Sequence, residues 1–202
     1  MKIKGFKLWE IALAFGVVCA ISFGCWAQAA QEELSGKLVR LHVVANSDSA
    51  YDQELKLKVR DRILEAAQPL LAGISAADEA SAILEKNLPY LTEQARLELD
   101  AANCRMDVRA KLAYEDFPTR EYESFKLPAG RYQALRVTIG EGGGHNWWCV
   151  VFPPLCSAGE NIGGNAKAAG LTDGDVALIT EGDGVKIKFW CVEIWQKIRK
   201  ML

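Results

Sequence analysis

The sequence predicts an α+β domain: an antiparallel sheet of about four strands, three helices inserted after the first strand, and an amphipathic helix at the C-terminus. Three observations predict this fold class. Alternating or continuous apolar runs typical of strands occur at residues 38–44, 104–114, 131–139 and 146–152. A stripe of apolar residues, Leu55, Val59, Ile63 and Ala66, recurs at helical spacing, and the alanine content of residues 76–101 favours further helices. The same spacing returns in residues 185–202.

The inserted helices carry local start signals. Ser49 followed by Asp52 resembles a capping box, so the first helix is predicted over residues 51–67. The second is predicted over residues 76–87. The third is predicted over residues 89–101, with its proline in the first turn, where a missing N–H costs least.

A glycine run joins the last two strands. Residues 140–144 read Gly-Glu-Gly-Gly-Gly, which predicts an antiparallel hairpin between strands 131–139 and 146–152. A phosphate-binding loop is disfavoured, because a strand follows the run instead of a helix and the typical lysine is missing. The second strand is apolar on both faces, so it is expected to be central or covered on both sides.

The N-terminus has the pattern of an export signal. Three lysines precede an apolar run over residues 8–26, and Ala27 and Ala29 occupy the two positions that signal peptidase recognises. Residues 1–29 are therefore either a cleaved signal peptide or an uncleaved membrane anchor, since the run is nearly long enough to span a bilayer. We expect the chain to be exported.

Three further regions follow this signal. Residues 30–156 form the predicted α+β domain. Residues 157–184 are rich in Gly, Ala and Asp and are expected to be a flexible excursion with little core contact. Residues 185–202 carry five Lys or Arg residues against one Glu, a net charge of +4. This amphipathic segment either docks on the protein's own sheet or contacts an anionic membrane surface.

Charge and metal-ligand spacing exclude several function classes. The chain has a net charge of −2, without the basic excess that nucleic-acid binding requires, so no nucleic-acid partner is expected. A metal site formed by His42, His145 and Asp48 is disfavoured, because no H-x-x-x-H or C-x-x-C pattern is present. We therefore expect neither a metal nor another cofactor.

Four cysteines follow the signal, namely Cys104, Cys149, Cys156 and Cys191. Four cysteines allow three complete pairings, and export permits disulfides. Cys149 with Cys156 is the preferred pair because Pro153-Pro154 can turn the chain between them. The alternative is that all four are buried thiols that pack as small hydrophobic groups.

A cysteine hydrolase that uses Cys149 with His145 or His42 is the alternative function. On one strand, residues 145 and 149 share a face but lie about 13 Å apart, too far for a hydrogen bond. His42 on a neighbouring strand would repair this geometry, with Asp48 or Asn46 to orient it. The sequence otherwise contains no convincing catalytic group, so a binding role is favoured and no enzyme activity is expected.

The expected partner-binding residues lie in two segments. Trp147 and Trp148 point to opposite faces of a strand, so at least one is expected to pack in the core. The other either packs there as well or anchors an interface. The polar turn after the first strand offers further contacts, although it is also explained as a helix cap. The candidate residues are Asn46, Ser47, Asp48, Ser49, His145, Asn146, Trp147 and Trp148.

Two long segments resemble the stage II sporulation protein R family. They are LVRLHVVANSDSAYDQELKLKVRD, residues 38–61, and LPAGRYQALRVTIGEGGGHNWWCVVFPPLC, residues 127–156. The export signal and the closing KFWCVEIW also resemble the ends of that family.

The resemblance implies a protein that is made in the forespore and secreted across the forespore membrane into the intermembrane space. There it would activate a membrane-embedded aspartic protease of the mother cell, which removes the pro-sequence of sigma-E. The resemblance thus implies a ligand and not the protease. The sequence contains no Asp-Thr/Ser-Gly triplet, which agrees with this role.

Overall fold

The fold is described by a computed structural model that covers residues 7–122, 124–156 and 162–180. The α+β class is confirmed. The helices are α1 (Leu8–Gly36), α2 (Ala50–Leu70), α3 (Ala77–Lys86), α4 (Leu88–Ala101), α5 (Ile162–Ala168) and α6 (Asp173–Thr180). The strands are β1 (Val39–Val44), β2 (Val108–Phe117), β3 (Arg120–Glu121), β4 (Lys126–Leu127), β5 (Gly130–Ile139) and β6 (Asn146–Phe152). The amphipathic helix expected over residues 185–202 lies outside the described residues.

The four-stranded sheet is mixed, which corrects the expectation of an antiparallel sheet. Its strand order is β2-β5-β1-β6. The β2–β5 and β1–β6 pairs are antiparallel, whereas β1 and β5 run parallel. Parallel pairing needs a long crossover, and the three helices and β2 between β1 and β5 supply it. β3 and β4 form a separate two-stranded ribbon.

The predicted hairpin between β5 and β6 is wrong, because β1 lies between them. All six residues of β1 are buried, so this strand takes a central position with neighbours on both edges. The connection 140–145 only has to cross two strand spacings, about 10 Å, which six residues span easily. β6 is consequently an edge strand and not a central one.

One face of the sheet packs against α2, α3 and α4. The α2 stripe of Leu55, Val59 and Ile63 is fully or almost fully buried against β1 residues such as Leu41 and Val43. The i+4 spacing in the sequence predicts this stripe correctly.

The other face packs against the end of α1, the β3–β4 ribbon and the pair α5 and α6. Its core includes Leu34, Tyr132 and Val150, none of which is exposed. Ala166 and Ile179 are also buried there. The expectation that residues 157–184 have little core contact is therefore corrected for residues 162–180.

α1 is one continuous helix of 29 residues, long and apolar enough by length and composition to cross a membrane. Its last turns dock on the domain, where Ala27, Gln31 and Leu34 are buried. Ala29 is exposed on the same helix. The two alanines of the predicted cleavage site thus lie inside helical structure just before the domain begins.

Candidate functional site

The two segments predicted to bind a partner meet at one end of the sheet. We call residues 46–49 the polar turn and residues 140–145 the glycine loop. The backbone N–H of Gly143 donates to the Asn46 carbonyl at 3.0 Å, and that of Gly144 donates to the Ala45 carbonyl at 3.0 Å. The Glu141 N–H donates to Asn46 Oδ1 at 3.1 Å. Residues almost 100 positions apart therefore form one surface.

Close packing explains the glycines of this loop. Gly140 and Gly142 adopt φ angles of +55° and +66°, which favour glycine. A side chain at Gly144 would collide with the backbone of Ser47. The glycine run is thus required by the fit of the loop on the polar turn, and no phosphate site is needed to explain it.

Asp52 holds the polar turn from the first turn of α2. Asn46 Nδ2 and Ser47 Oγ donate to Asp52 Oδ2 at 2.9 and 2.6 Å. The Asp52 N–H in turn donates to Ser49 Oγ at 3.1 Å, which confirms Ser49 as the helix cap. The Ser47 hydroxyl, followed by the Asn46 amide, lowers the pKa of Asp52. The polar side chains of the turn are therefore largely committed to holding its shape.

Asp48 and His145 form the most exposed part of the site. The backbone N–H of His145 donates to Asp48 Oδ1 at 2.6 Å, and the His145 imidazole Nδ1 contacts the same oxygen. The side chains are 56% and 79% exposed, so a partner can reach both. The His145 backbone N–H, and then its side chain, lower the pKa of Asp48.

Lys56 is a site residue that the sequence analysis missed. Its Nζ donates to the His145 carbonyl at 3.0 Å and to Gln53 Oε1 at 2.6 Å. The residue is buried, and burial lowers the pKa of its ammonium. A signal was present, because Asp52 and Lys56 occupy i and i+4 positions of the stripe that continues with Val59 and Ile63. Charged residues in a buried stripe indicate a polar contact across it.

The two tryptophans lie on opposite faces of β6, as predicted. Trp147 packs on the α2 side, with the Arg60 guanidinium 4.3 Å from its ring centroid. Trp148 lies on the other side, stacked on His42 at 5.7 Å and covered by the Arg120 guanidinium at 3.8 Å. Both rings are half-buried, so each combines packing with an accessible edge.

His42 is buried and links three strands. Its Nδ1 lies 2.6 Å from Glu115 Oε2 on β2, and its Nε2 lies 2.8 Å from Asn146 Oδ1 on β6. Burial raises the pKa of Glu115, but hydrogen bonds from His42 and Arg136 outweigh it and leave that pKa lowered. Asn146 is thereby tied to the sheet. It offers only part of its side chain to a partner.

The structure joins Cys149 and Cys156 in a disulfide, with Cα atoms 6.0 Å apart. Cys104 is buried and free, whereas Cys191 lies outside the described residues. Cys149 packs with the α2 side of the sheet, while His42 lies on the opposite side. Within the described ranges, the hydrolase pairing of Cys149 with either histidine does not form.

Residues 7–122, 124–156 and 162–180 contain no group of three or more His, Cys, Asp or Glu residues that could hold a metal ion. His42 is buried in the sheet, whereas the Asp48–His145 pair is exposed at its end. The weighed combination of His42, His145 and Asp48 is thus not brought together.

Arg40 on β1 holds β6 in place through side-chain hydrogen bonds. Its side chain is fully buried, with Nε donating to the Cys149 carbonyl at 2.9 Å and Nη2 donating to the Tyr122 hydroxyl at 2.7 Å. Burial lowers the pKa of this guanidinium. The Tyr122 hydroxyl donates onward to the Trp148 carbonyl at 3.2 Å. The strand that carries the tryptophans is therefore fixed by a hydrogen-bonded chain.

The fold and the site define an α+β domain with a preorganised polar surface at one end of its sheet. The chain belongs to the stage II sporulation protein R family, whose model matches residues 35–161. It is also similar to stage II sporulation protein R of Bacillus subtilis strain 168, with 36% identity over 118 residues.

That alignment covers 58% of this chain and 53% of the relative, so the chain spans about half the length of the curated protein it matches. No solved structure matches the chain. The family resemblance of the two long segments is confirmed, and it supports a role in sporulation signalling.

Proposed function

We propose that this chain is an exported signalling ligand of sporulation. In this role the polar turn and the glycine loop contact a membrane-embedded aspartic protease of the mother cell and trigger processing of pro-sigma-E. The observation that carries the proposal is the joined surface itself. Hydrogen bonds between the polar turn and the glycine loop fix its shape, while the side chains of Asp48 and His145 stay exposed. Such preorganisation lowers the entropy that binding would otherwise cost.

The proposed location is the space between the forespore and mother-cell membranes. The long apolar helix α1 supports export as a signal sequence or an anchor. The disulfide between Cys149 and Cys156 is compatible with an oxidising compartment outside the cytosol.

A ligand role is favoured over catalysis. Cys149 is committed to a disulfide, so it presents no thiolate. Its neighbour His145 has its Nδ1 directed to Asp48, and His42 binds Glu115 and Asn146. Each of these contacts has a structural role, and none of them brings a histidine to the Cys149 sulfur.

The first prediction concerns His145, whose side chain is exposed and contacts Asp48. In a host that lacks its own copy, we expect His145→Ala to abolish most pro-sigma-E processing at unchanged secreted protein level. The fold should persist, because the backbone bonds between loop and turn remain. Immunoblots of pro-sigma-E and of the exported protein measure both quantities. Tyr114→Ala, at a 62% exposed position on β2, is the matched control and should process normally.

Normal processing by both His145→Ala and Asp48→Ala would contradict the proposed contact surface. Cysteine variants separate the hydrolase alternative. If the disulfide only supports the fold, Cys149→Ser and Cys156→Ser should have equal effects, since each breaks the same bond. Loss with Cys149→Ser alone, at equal protein level, would favour the hydrolase.

A further inference from the structure

A groove of about 720 Å³ lies beside the outer edge of β6. α2 forms one wall with Arg60 and Leu64, and the β3–β4 ribbon and the turn between its strands form the other with Tyr122 and Phe125. Trp147 and Leu155 supply further apolar lining. Tyr122 and Phe125 stack with their ring centroids 4.4 Å apart, so this wall contains a pair of aromatic rings.

The outer surface of this groove is acidic. The rim carboxylates of Asp61, Glu65 and Glu121 are 63%, 74% and 66% exposed. Two of the cationic side chains that pair with them are less accessible, since those of Arg60 and Lys126 are 19% and 21% exposed. An approaching segment therefore meets carboxylates first and apolar side chains below them. This arrangement is complementary to a polypeptide that combines basic with large apolar residues.

We propose that the groove binds residues 185–202 of the same chain. This segment has a net charge of +4 and contains Phe189, Trp190 and Trp195 among its apolar residues. Its Lys and Arg residues would meet the rim, and its aromatic residues would meet the apolar lining. Burial of such side chains, not the exposed ion pairs, would supply most of the affinity.

The last described helix contacts the ribbon that forms one wall of the groove. α6 ends at Thr180 and packs against β4. β4 pairs with β3, and Glu121 of β3 stands on the rim of the groove. Residues 181–202 follow α6 in the sequence, and a chain of that length reaches up to about 70 Å. The proposal is independent of the proposed receptor contact, because the groove contains no residue of the polar turn or the glycine loop. Trp147 is the one candidate partner-binding residue that lines it.

Zero-length carbodiimide cross-linking tests the proposal on the full chain in zwitterionic detergent. We expect amide bonds between lysines of the segment and Asp61, Glu65 or Glu121, read by mass spectrometry after digestion. Glu65→Lys should lower the yield at the remaining rim carboxylates about three- to tenfold, because it replaces an attraction with a repulsion.

Glu54→Lys is the matched control. Glu54 also lies on α2, is 67% exposed and pairs with a lysine one turn away, as Glu65 pairs with Arg62. Its yield should equal that of the wild type. Equal yields from both variants would overturn the proposal. So would cross-links found only between isotopically labelled and unlabelled chains, which would assign the segment to a second copy.

Membrane contact is the remaining competitor. When vesicles containing phosphatidylglycerol are added, rim cross-links should persist. Their complete loss, with salt-sensitive vesicle binding that requires residues 185–202, would overturn groove binding in favour of the membrane surface.

Discussion

Asp52 and Lys56 show how two charged residues can be buried in the apolar stripe of a helix. Each lies one turn from the other on α2, and each reaches a different part of the site. Asp52 accepts from the polar turn, and Lys56 donates to the glycine loop. The charged pair therefore connects the helix to both halves of the proposed contact surface.

At this scale, a pH dependence follows from Asp52. Its folded pKa lies below the unfolded value of about 3.9, so its stabilising contribution is present above that value. The contribution is lost as the pH falls through the lower, folded pKa. We expect Asp52→Asn to be less stable than the wild type at pH 7, with a difference that shrinks below about pH 4.

Urea unfolding at several pH values measures that difference. Other carboxylates with lowered pKa, such as Asp175, also lose stability in acid, so only the wild-type minus variant difference is informative. A difference that stayed constant from pH 7 to pH 3 would show that the Asp52 carboxylate does not hold the turn.

At the scale of elements, β6 is an edge strand whose outer side is capped by side chains. Tyr122 donates to the Trp148 carbonyl, and the Val150 N–H points to Cys156 Sγ at 3.0 Å. An uncovered edge would offer these groups to another chain. The disulfide is therefore part of the protection of the sheet.

This role predicts the effect of removing the disulfide. The bond closes a short loop with a sequence separation of 7, for which chain entropy gives a stabilisation of about 2.5 kcal/mol. We expect Cys149→Ser/Cys156→Ser to unfold with a free energy lower by about 2 kcal/mol. Reductant should lower the wild type to the same value and leave the double variant unchanged. Insensitivity of the wild type to reductant would contradict the pairing.

Periodicity predicts the individual elements well but does not predict their neighbours. The stripe of α2 and the strands around residues 39–44 and 146–152 follow from local spacing. The order β2-β5-β1-β6 does not, because a short glycine connection fits a hairpin as well as a crossing over β1. The deciding fact is that β1 is buried along its whole length, which depends on tertiary packing and not on local spacing.

The site shows the same division. The clustering of polar and aromatic residues pointed to both segments, and the structure brings them together. It also separates His42 from Cys149, because Cys149 lies opposite Leu41 on β1 and neighbouring residues of a strand face opposite sides. Arg40 and Lys56 were not predicted, because each donates to a backbone carbonyl that comes near it only in the folded chain.

At the scale of the whole molecule, the junction between α1 and the domain determines what signal cleavage would remove. Cleavage after Ala29 would leave residues 30–36, which still carry the buried Gln31 and Leu34. We expect the exported form to begin at Ala30 and its free energy of unfolding to fall by less than about 1 kcal/mol, because Ala27 is the main buried apolar side chain among residues 7–29. Intact mass and urea unfolding of the exported protein measure both. A membrane-bound form that retains residue 1 would instead establish an anchor.

The redox state of Cys149 and Cys156 also depends on the compartment that the chain has reached. A newly made chain carries Cys149 and Cys156 as thiols, since cytosolic reductants keep them so. On the proposed export route, the bond forms on the oxidising side of the membrane. An exported copy would then differ chemically from a retained one, and the fraction of oxidised chains would measure the proposed export.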